Sequence, residues 1–134
     1  MTYENMYDFV ADVRKMNRLY KRDDRETPHL YADTEQRLIN FKEIIGDEFK
    51  ELDDVIALQK MGVTIDALVG IADWLADVMV YCTSEASKYG IPIMDVLQIV
   101  MESNYSKLDN DGQPIIDEKT GKFLKGPNYW KPEP

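Results

Sequence analysis

The sequence predicts an all-α protein, a bundle of four to five helices followed by a short C-terminal β-hairpin tail. Apolar residues recur at helical spacing through four segments of the 134-residue chain. Glycine and proline stand at the segment boundaries, where helices end and begin. After residue 108 the helical pattern stops, and two short apolar runs, PIID and KFLK, flank the turn sequence EKTG.

The composition is that of a folded protein, with 44% hydrophobic and 31% charged residues. The length is usual for one domain. We therefore expect a single domain over residues 1–134, with an N-terminal helix in 1–20, a helical core in 34–107 and a tail in 109–134. The net charge of −9 argues against binding to nucleic acid or to an anionic membrane. It leaves room for a phosphate ligand, because metal ions can supply the local positive charge.

The chain shows no sign of membrane insertion or export. Its longest apolar stretch, Val63 to Cys82, contains three aspartates and is too charged for an ordinary span. The first residues, MTYENMYDF, lack the basic and apolar regions of a signal peptide. A cytoplasmic protein is the expectation. Cys82, the one cysteine, lies in an apolar helical pattern and is expected to be a core residue.

The first predicted helix runs from Tyr3 to Tyr20 and carries an apolar stripe. The charged stretch KRDDRETPH follows and is predicted to be a loop. Its basic residues, Arg22, Arg25 and His29, belong either to a solvated loop or to a loop over the active site. The sequence leaves both alternatives open.

The second predicted helix begins at Asp33 or Thr34 and ends near Lys60. Gly46, inside this helix, is expected to allow the close approach of another helix. The residues predicted to form its buried face are Leu38, Phe41, Ile45, Phe49, Leu52 and Ile56.

The third helix is expected to be capped by Thr64, to end near Tyr89 and to lie at the centre, because it is apolar nearly all round. Three other helices do not suffice to cover such a helix in a chain of this size. The sequence therefore predicts a homo-oligomer, a dimer or a tetramer. Pro92 opens the fourth helix, and Gly121 is expected at a positive-φ position in the tail hairpin.

Four acids stand at spacings that share a helix face. Glu48 and Glu51 are three residues apart, and Asp73 and Asp77 are four apart. Carboxylates suit a hard divalent cation such as Mg²⁺, with Mn²⁺ as an alternative. Because these acids stand among residues expected to be buried, they are costly unless paired or metal-bound. Polar stripes on partly exposed helices remain the other interpretation.

Three motifs together resemble one family. They are ExxE at Glu48 and Glu51 with DWLAD on the next helix, SNYSKL, and GKFLKGPNYW. The chain resembles the all-α nucleoside triphosphate pyrophosphohydrolases, the MazG-like superfamily, over about residues 35–131. Within it, the motifs look like a phosphoribosyl-ATP pyrophosphohydrolase-like branch common in bacteriophages and bacteria. Trp74 stands where that superfamily has a third acid, and the resemblance suggests that the adjacent Asp73 takes over.

The resemblance implies metal-dependent hydrolysis of a (deoxy)nucleoside triphosphate, with a purine base favoured, to a nucleoside monophosphate and pyrophosphate. The reaction would take place in the cytoplasm, or in the host cytoplasm if a phage encodes the chain. Glu48 or Glu51 would orient or deprotonate the attacking water. The implied Mg²⁺ ligands are Glu48, Glu51, Asp73 and Asp77.

The implied substrate-binding residues come from the last two motifs: Asn104, Lys107, Lys125 and Tyr129. An amide and two lysines can contact phosphate oxygens. Two alternatives stay open. One is a noncatalytic nucleotide-binding helical module, which the missing acid at Trp74 favours. The other is phosphoribosyl-ATP hydrolysis on the same scaffold.

Overall fold

The computed structural model describes residues 2–133, so Met1 and Pro134 lie outside the described residues. It has four α-helices and, within residues 2–133, no strand. The all-α class is therefore confirmed. None of these helices combines the length and the apolar composition that a bilayer crossing needs. The helices are α1 (Met6–Leu19), α2 (Thr34–Lys60), α3 (Thr64–Lys88) and α4 (Ile93–Tyr105).

The chain divides into two compact units, Met1–Ile91 and Pro92–Pro134. That the whole chain acts as one domain stays a prediction. In the first unit, α3 packs against both α1 and α2. The cap expected from Thr64 is wrong: Val63 precedes the helix, and no side chain caps it. At α1, by contrast, the Asn5 side chain accepts a hydrogen bond from the Asp8 N–H at 3.2 Å.

The contact between α1 and α3 is polar at its centre. Asn17 is fully buried, and its amide donates to the Ser84 carbonyl at 3.2 Å and to Ser87 Oγ at 2.7 Å. The Ser84 hydroxyl donates back to Asn17 Oδ1 at 2.8 Å. Because these buried polar groups are paired, they fix how α1 lies on α3. The sequence indicated only an apolar stripe on this helix, from which Val13 is buried.

The loop between α1 and α2 is bound to the C-terminal end of α3. The backbone N–H of Arg25 donates to the Ser87 carbonyl at 2.9 Å, and that of His29 to the Tyr89 carbonyl at 2.8 Å. The last carbonyls of a helix have no partner within it, so the loop satisfies groups that would otherwise need water. Gly90 follows directly and lies against this loop.

Ion pairs between a buried carboxylate and two partly exposed arginines tie the same loop to α1. The side chain of Asp24 is 4% exposed and accepts from Arg14 at 2.8 Å and from Arg18 at 2.7 Å. Burial by itself would raise the pKa of Asp24, but the hydrogen bonds from both arginines outweigh it, and that pKa is lowered. The carboxylate is therefore held in its charged form between the two arginines.

Within the first unit, α1 and α2 leave part of α3 uncovered. Ala67 and Ala86 are buried against its neighbours. Cys82, expected in the core, is exposed. Because α1 and α2 cover only part of the helix circumference, its remaining large apolar side chains face outward: Ile65, Leu68, Val69, Ile71, Leu75 and Met79.

On α2 too, some large apolar side chains are partly buried and others are exposed. Its predicted buried face is half correct, because Phe41, Ile45 and Leu52 are partly buried. The other three predicted members, Leu38, Phe49 and Ile56, are exposed.

Close approach of α2 and α3 occurs at a different glycine from the one expected. A Cβ at Gly46 would meet nothing within 4 Å, so the expected helix contact there is wrong. A Cβ at Gly70 would lie 3.2 Å from Val55 Cγ2. This is the point where a small residue brings the two helices together.

In the second unit, the C-terminal tail folds back onto the end of α4. The Ser103 hydroxyl donates to the Trp130 carbonyl at 2.8 Å, and the Trp130 N–H donates to Ser106 Oγ at 3.2 Å. A Cβ at Gly126 would lie 2.4 Å from the carbonyl oxygen of Lys107. The glycine thus permits close packing of the chain on itself, and both serines of the SNYSKL motif hold the tail.

The predicted β-hairpin is not formed as a pair of strands. A single antiparallel bridge joins Ile116 and Phe123. The turn between them has the expected positive φ at Gly121, 72°, and the Asp117 carboxylate accepts from two of its backbone N–H groups. Pro114 has no N–H to donate just before the bridge, and the two runs are too short to extend it.

Candidate metal centre

Three acids from α2 and α3 meet in the first unit. Carboxylate oxygens of Glu48, Glu51 and Asp77 all lie within 4.8 Å of one another. The spacing of three residues places the two glutamates on the same face of α2, and that face meets the Asp77 side of α3. Three oxygens at such separations form a set that can ligate a hard divalent cation.

Glu48 distinguishes this cluster from a solvated group of acids. It is 7% exposed, and its Oε2 atom is buried without a hydrogen-bond partner among the described residues. Burial, together with the negative charges of Glu51 and Asp77, raises the pKa of Glu48. A buried carboxylate oxygen without a partner is costly. A divalent cation would satisfy it and offset the repulsion, so these residues fit Mg²⁺ or Mn²⁺.

Asp73, the fourth acid expected at the metal, is not part of this close group. It is exposed and lines a cleft of about 230 Å³ together with Glu51 and Asp77. Asp54 borders the same cleft, and sequence reasoning missed it although it stands three residues after Glu51. A role for Asp73 in metal binding stays a prediction.

Trp74 links α2 and α3, the two helices that carry the acidic cluster. Its indole N–H donates to the Glu48 carbonyl at 2.6 Å, and its ring lies 5.8 Å from that of Phe49 between centroids. Trp74 therefore holds α2 against α3 beside Glu48. The resemblance found in the sequence marked this position only as a missing acid.

Tyr81 is a further residue of the site that sequence reasoning missed. It lies beside Glu48, and burial together with the negative charge of Glu48 raises the pKa of the Tyr81 hydroxyl. That hydroxyl can donate a hydrogen bond to the Glu48 carboxylate. The sequence spacing could have indicated Tyr81, since Asp73, Asp77 and Tyr81 stand four residues apart on one face of α3.

The predicted substrate-binding residues lie in the second unit in two pairs. Asn104 and Lys107 both line a cavity of about 490 Å³ between the end of α4 and the tail. The Lys125 ammonium lies 5.0 Å from the centroid of the Tyr129 ring. The rest of the cavity wall is mostly apolar: Met101, Tyr105, Leu108, Pro114, Ile115, Phe123 and Leu124.

No protein-family model matches the chain, and none of the curated proteins does. Among solved structures, the chain is similar to a proposed NTP pyrophosphohydrolase from Exiguobacterium sp. 255-15. The two are 18% identical, the match covers 98% of this chain and 90% of that chain, and the TM-score is 0.48. At this level of similarity, function has to be inferred from the chain's own side chains.

Proposed function

We propose that this protein is a metal-dependent nucleoside triphosphate pyrophosphohydrolase, a member of the MazG-like superfamily. It hydrolyses a (deoxy)nucleoside triphosphate, with a purine base favoured, to the monophosphate and pyrophosphate. The observation that carries this proposal is a group of three carboxylates with oxygens within 4.8 Å of one another, in which Glu48 is buried and its Oε2 has no hydrogen-bond partner among residues 2–133. The motifs that resemble the superfamily support the choice of substrate.

Glu48, Glu51 and Asp77 would hold Mg²⁺, and Asp73 would contribute from the adjoining cleft. The bound ion would neutralise phosphate charge and lower the pKa of a water molecule. Glu51 is the exposed glutamate of the group and has access to that water. Glu48 is the alternative base.

In the reaction, the water oxygen forms a bond to the α-phosphorus, and the bond from this phosphorus to the bridging oxygen breaks. Pyrophosphate leaves with the electron pair of that bond, and the water proton passes to the glutamate. Asn104, Lys107, Lys125 and Tyr129 are the proposed substrate contacts outside the acidic cluster. Their amide and ammonium groups suit phosphate oxygens.

The test is pyrophosphate release from a panel of canonical and modified nucleoside triphosphates, with Mg²⁺ or Mn²⁺ and with chelator as the control. We expect release that requires the metal and that yields the monophosphate. Release of single phosphates, or equal rates with chelator, would contradict the proposal. The fastest substrate in the panel identifies the base.

The same panel distinguishes two other functions. Phosphoribosyl-ATP as the only substrate would place the chain in histidine synthesis. A noncatalytic module would bind nucleotide in an equilibrium assay and release no pyrophosphate from any compound. The hydrogen bond from the Trp74 indole to the Glu48 carbonyl argues against this second case. Trp74 then has a structural role beside the acidic cluster and need not mean that the metal site has been lost.

We further propose that the partner is a second copy of this chain, in a dimer or a dimer of dimers. The exposed apolar side of α3, with Leu68 60% and Val69 63% exposed, is the surface we assign to that contact.

Light scattering at micromolar concentration tests the assembly. We expect a mass of at least twice 15.6 kDa for the wild type and a lower mass for Leu68→Glu. Leu30→Glu is the matched control, because Leu30 is 75% exposed in the loop before α2 and lies off the α3 surface. A 15.6 kDa wild-type particle would exclude the oligomer.

A further inference from the structure

Among residues 2–133, Arg22 differs from every other arginine in that its guanidinium has no partner. Within residues 2–133, its guanidinium makes neither an ion pair nor a hydrogen bond, although acids outnumber bases by 25 to 16. Each of the remaining four is engaged: Arg14 with Asp24 and Glu26, Arg18 with Asp24, Arg25 with the Tyr31 hydroxyl, and Arg37 with Asp23 and Asp33. Acids are abundant in this chain, yet none pairs with Arg22 within residues 2–133. Its guanidinium is therefore available to bind an anionic ligand.

The backbone fixes the position of Arg22. Its N–H donates to the Asn17 carbonyl at 2.7 Å, and Asn17 is itself buried and hydrogen-bonded to α3. Lys21, just before it, has a φ of 57°, a left-handed conformation that is uncommon for lysine. Such a residue after a helix turns the chain sharply. Arg22 is thus placed at the end of α1 by a buried anchor and a strained turn.

The cleft that Arg22 borders is connected to the acidic cluster through one residue of α3, Tyr81. Arg22 borders a cleft of about 230 Å³ between α1 and α3. Tyr81 lines the same cleft and also lies beside Glu48. One side chain therefore connects the arginine's cleft to the three carboxylates. The other lining residues are Met16, Asn17, Tyr20, Val80 and Ser84.

We propose that Arg22 is a substrate-binding residue whose guanidinium contacts the phosphate oxygens of the nucleotide bound at the acidic cluster. The proposal rests on the function proposed above. A triphosphate approaching three carboxylates is repelled by them, so cations are needed from outside the cluster as well as from a metal. A guanidinium presents paired N–H donors that match two phosphate oxygens. Among residues 2–133, Arg22 is the one arginine whose guanidinium makes no bond to another group.

Equilibrium binding tests the contact separately from turnover. The probes are inorganic pyrophosphate and the α,β-imido analogue of the best panel substrate, each titrated into the Mg²⁺-loaded protein. We expect Arg22→Gln to weaken both by about 10- to 100-fold, the effect of losing hydrogen bonds to a charged group. Lys15→Gln is the control, because it removes one positive charge from an exposed position on α1. It should change neither affinity by more than about twofold.

The Mn²⁺-dependent rise in melting temperature separates a binding role from a structural one. It should be equal in Arg22→Gln and wild type, because Arg22 is not a metal ligand. Three results for Arg22→Gln would each overturn the phosphate contact. The first is loss of the Mn²⁺-dependent rise, and the second is affinities equal to those of Lys15→Gln. The third is weaker binding of the imido analogue with unchanged binding of pyrophosphate. A wild type that binds no triphosphate would overturn the proposed function together with it.

Discussion

Glu51→Gln is expected to lose nucleotide hydrolysis by about 100- to 1,000-fold or more while the protein remains folded. The substitution keeps the shape of the side chain and removes one of three carboxylates that lie within 4.8 Å of one another. Metal affinity should fall with it, because the variant replaces a charged ligand with a neutral one. Steady-state pyrophosphate release and the melting temperature with and without Mn²⁺ measure both effects.

Glu48→Gln should separate metal binding from stability still more sharply. In the metal-free protein, Glu48 is a buried carboxylate with an unpartnered oxygen, close to Glu51 and Asp77. Removing its charge relieves that repulsion, so the metal-free variant should melt at the wild-type temperature or above it. The stabilisation by Mn²⁺ should disappear.

Glu43→Gln provides the control for both variants, because it is the same chemical change on an exposed position of α2. It should leave hydrolysis and the response to Mn²⁺ unchanged. Full turnover in Glu51→Gln would remove Glu51 from the mechanism. A metal-free Glu48→Gln variant that melts well below the wild type would mean that the carboxylate stabilises the metal-free fold, which contradicts its role as a metal ligand.

The acidic cluster shows what local spacing can predict. Intervals of three and four residues place side chains on one helix face whatever the fold, so the sequence predicted that Glu48 and Glu51 share a face of α2 and that Asp73 and Asp77 share a face of α3. The sequence could not predict how far the acidic face of α2 lies from that of α3, or which acid lies outside the close group. Asp73 is exposed at the cleft for that reason, since the packing of α2 on α3 decides its position.

Burial was predicted less well than helix position, because it depends on which faces meet. Helix α2 begins at Thr34 and ends at Lys60, as its sequence predicts. Yet the buried residue at the centre of the α1 contact is Asn17, whose partners on α3 lie 67 and 70 residues away. No local pattern reveals such a pairing. Cys82 was misplaced for a related reason, since an apolar helical pattern does not show which of its residues face a neighbouring helix.

Gly90→Ala is expected to destabilise the protein by about 3 kcal/mol or more. Gly90 has a φ of 66°, and a Cβ there would lie 2.0 Å from the Thr27 carbonyl oxygen. The left-handed backbone alone costs an alanine about 1 kcal/mol. The collision adds to this, because its partner is backbone and cannot rotate away. Urea unfolding followed by circular dichroism measures the loss.

Gly62→Ala separates the two contributions. Gly62 has a φ of 75°, but a Cβ there would meet nothing within 4 Å, so this variant should lose only about 1 kcal/mol. Equal losses in the two variants would show that the loop does not press on Gly90. If the loss at Gly90 is the larger one, it comes from displacing the loop that Arg25 and His29 bind to the end of α3. That loop also carries Arg22, so Gly90→Ala should weaken pyrophosphate binding even at temperatures where the protein stays folded.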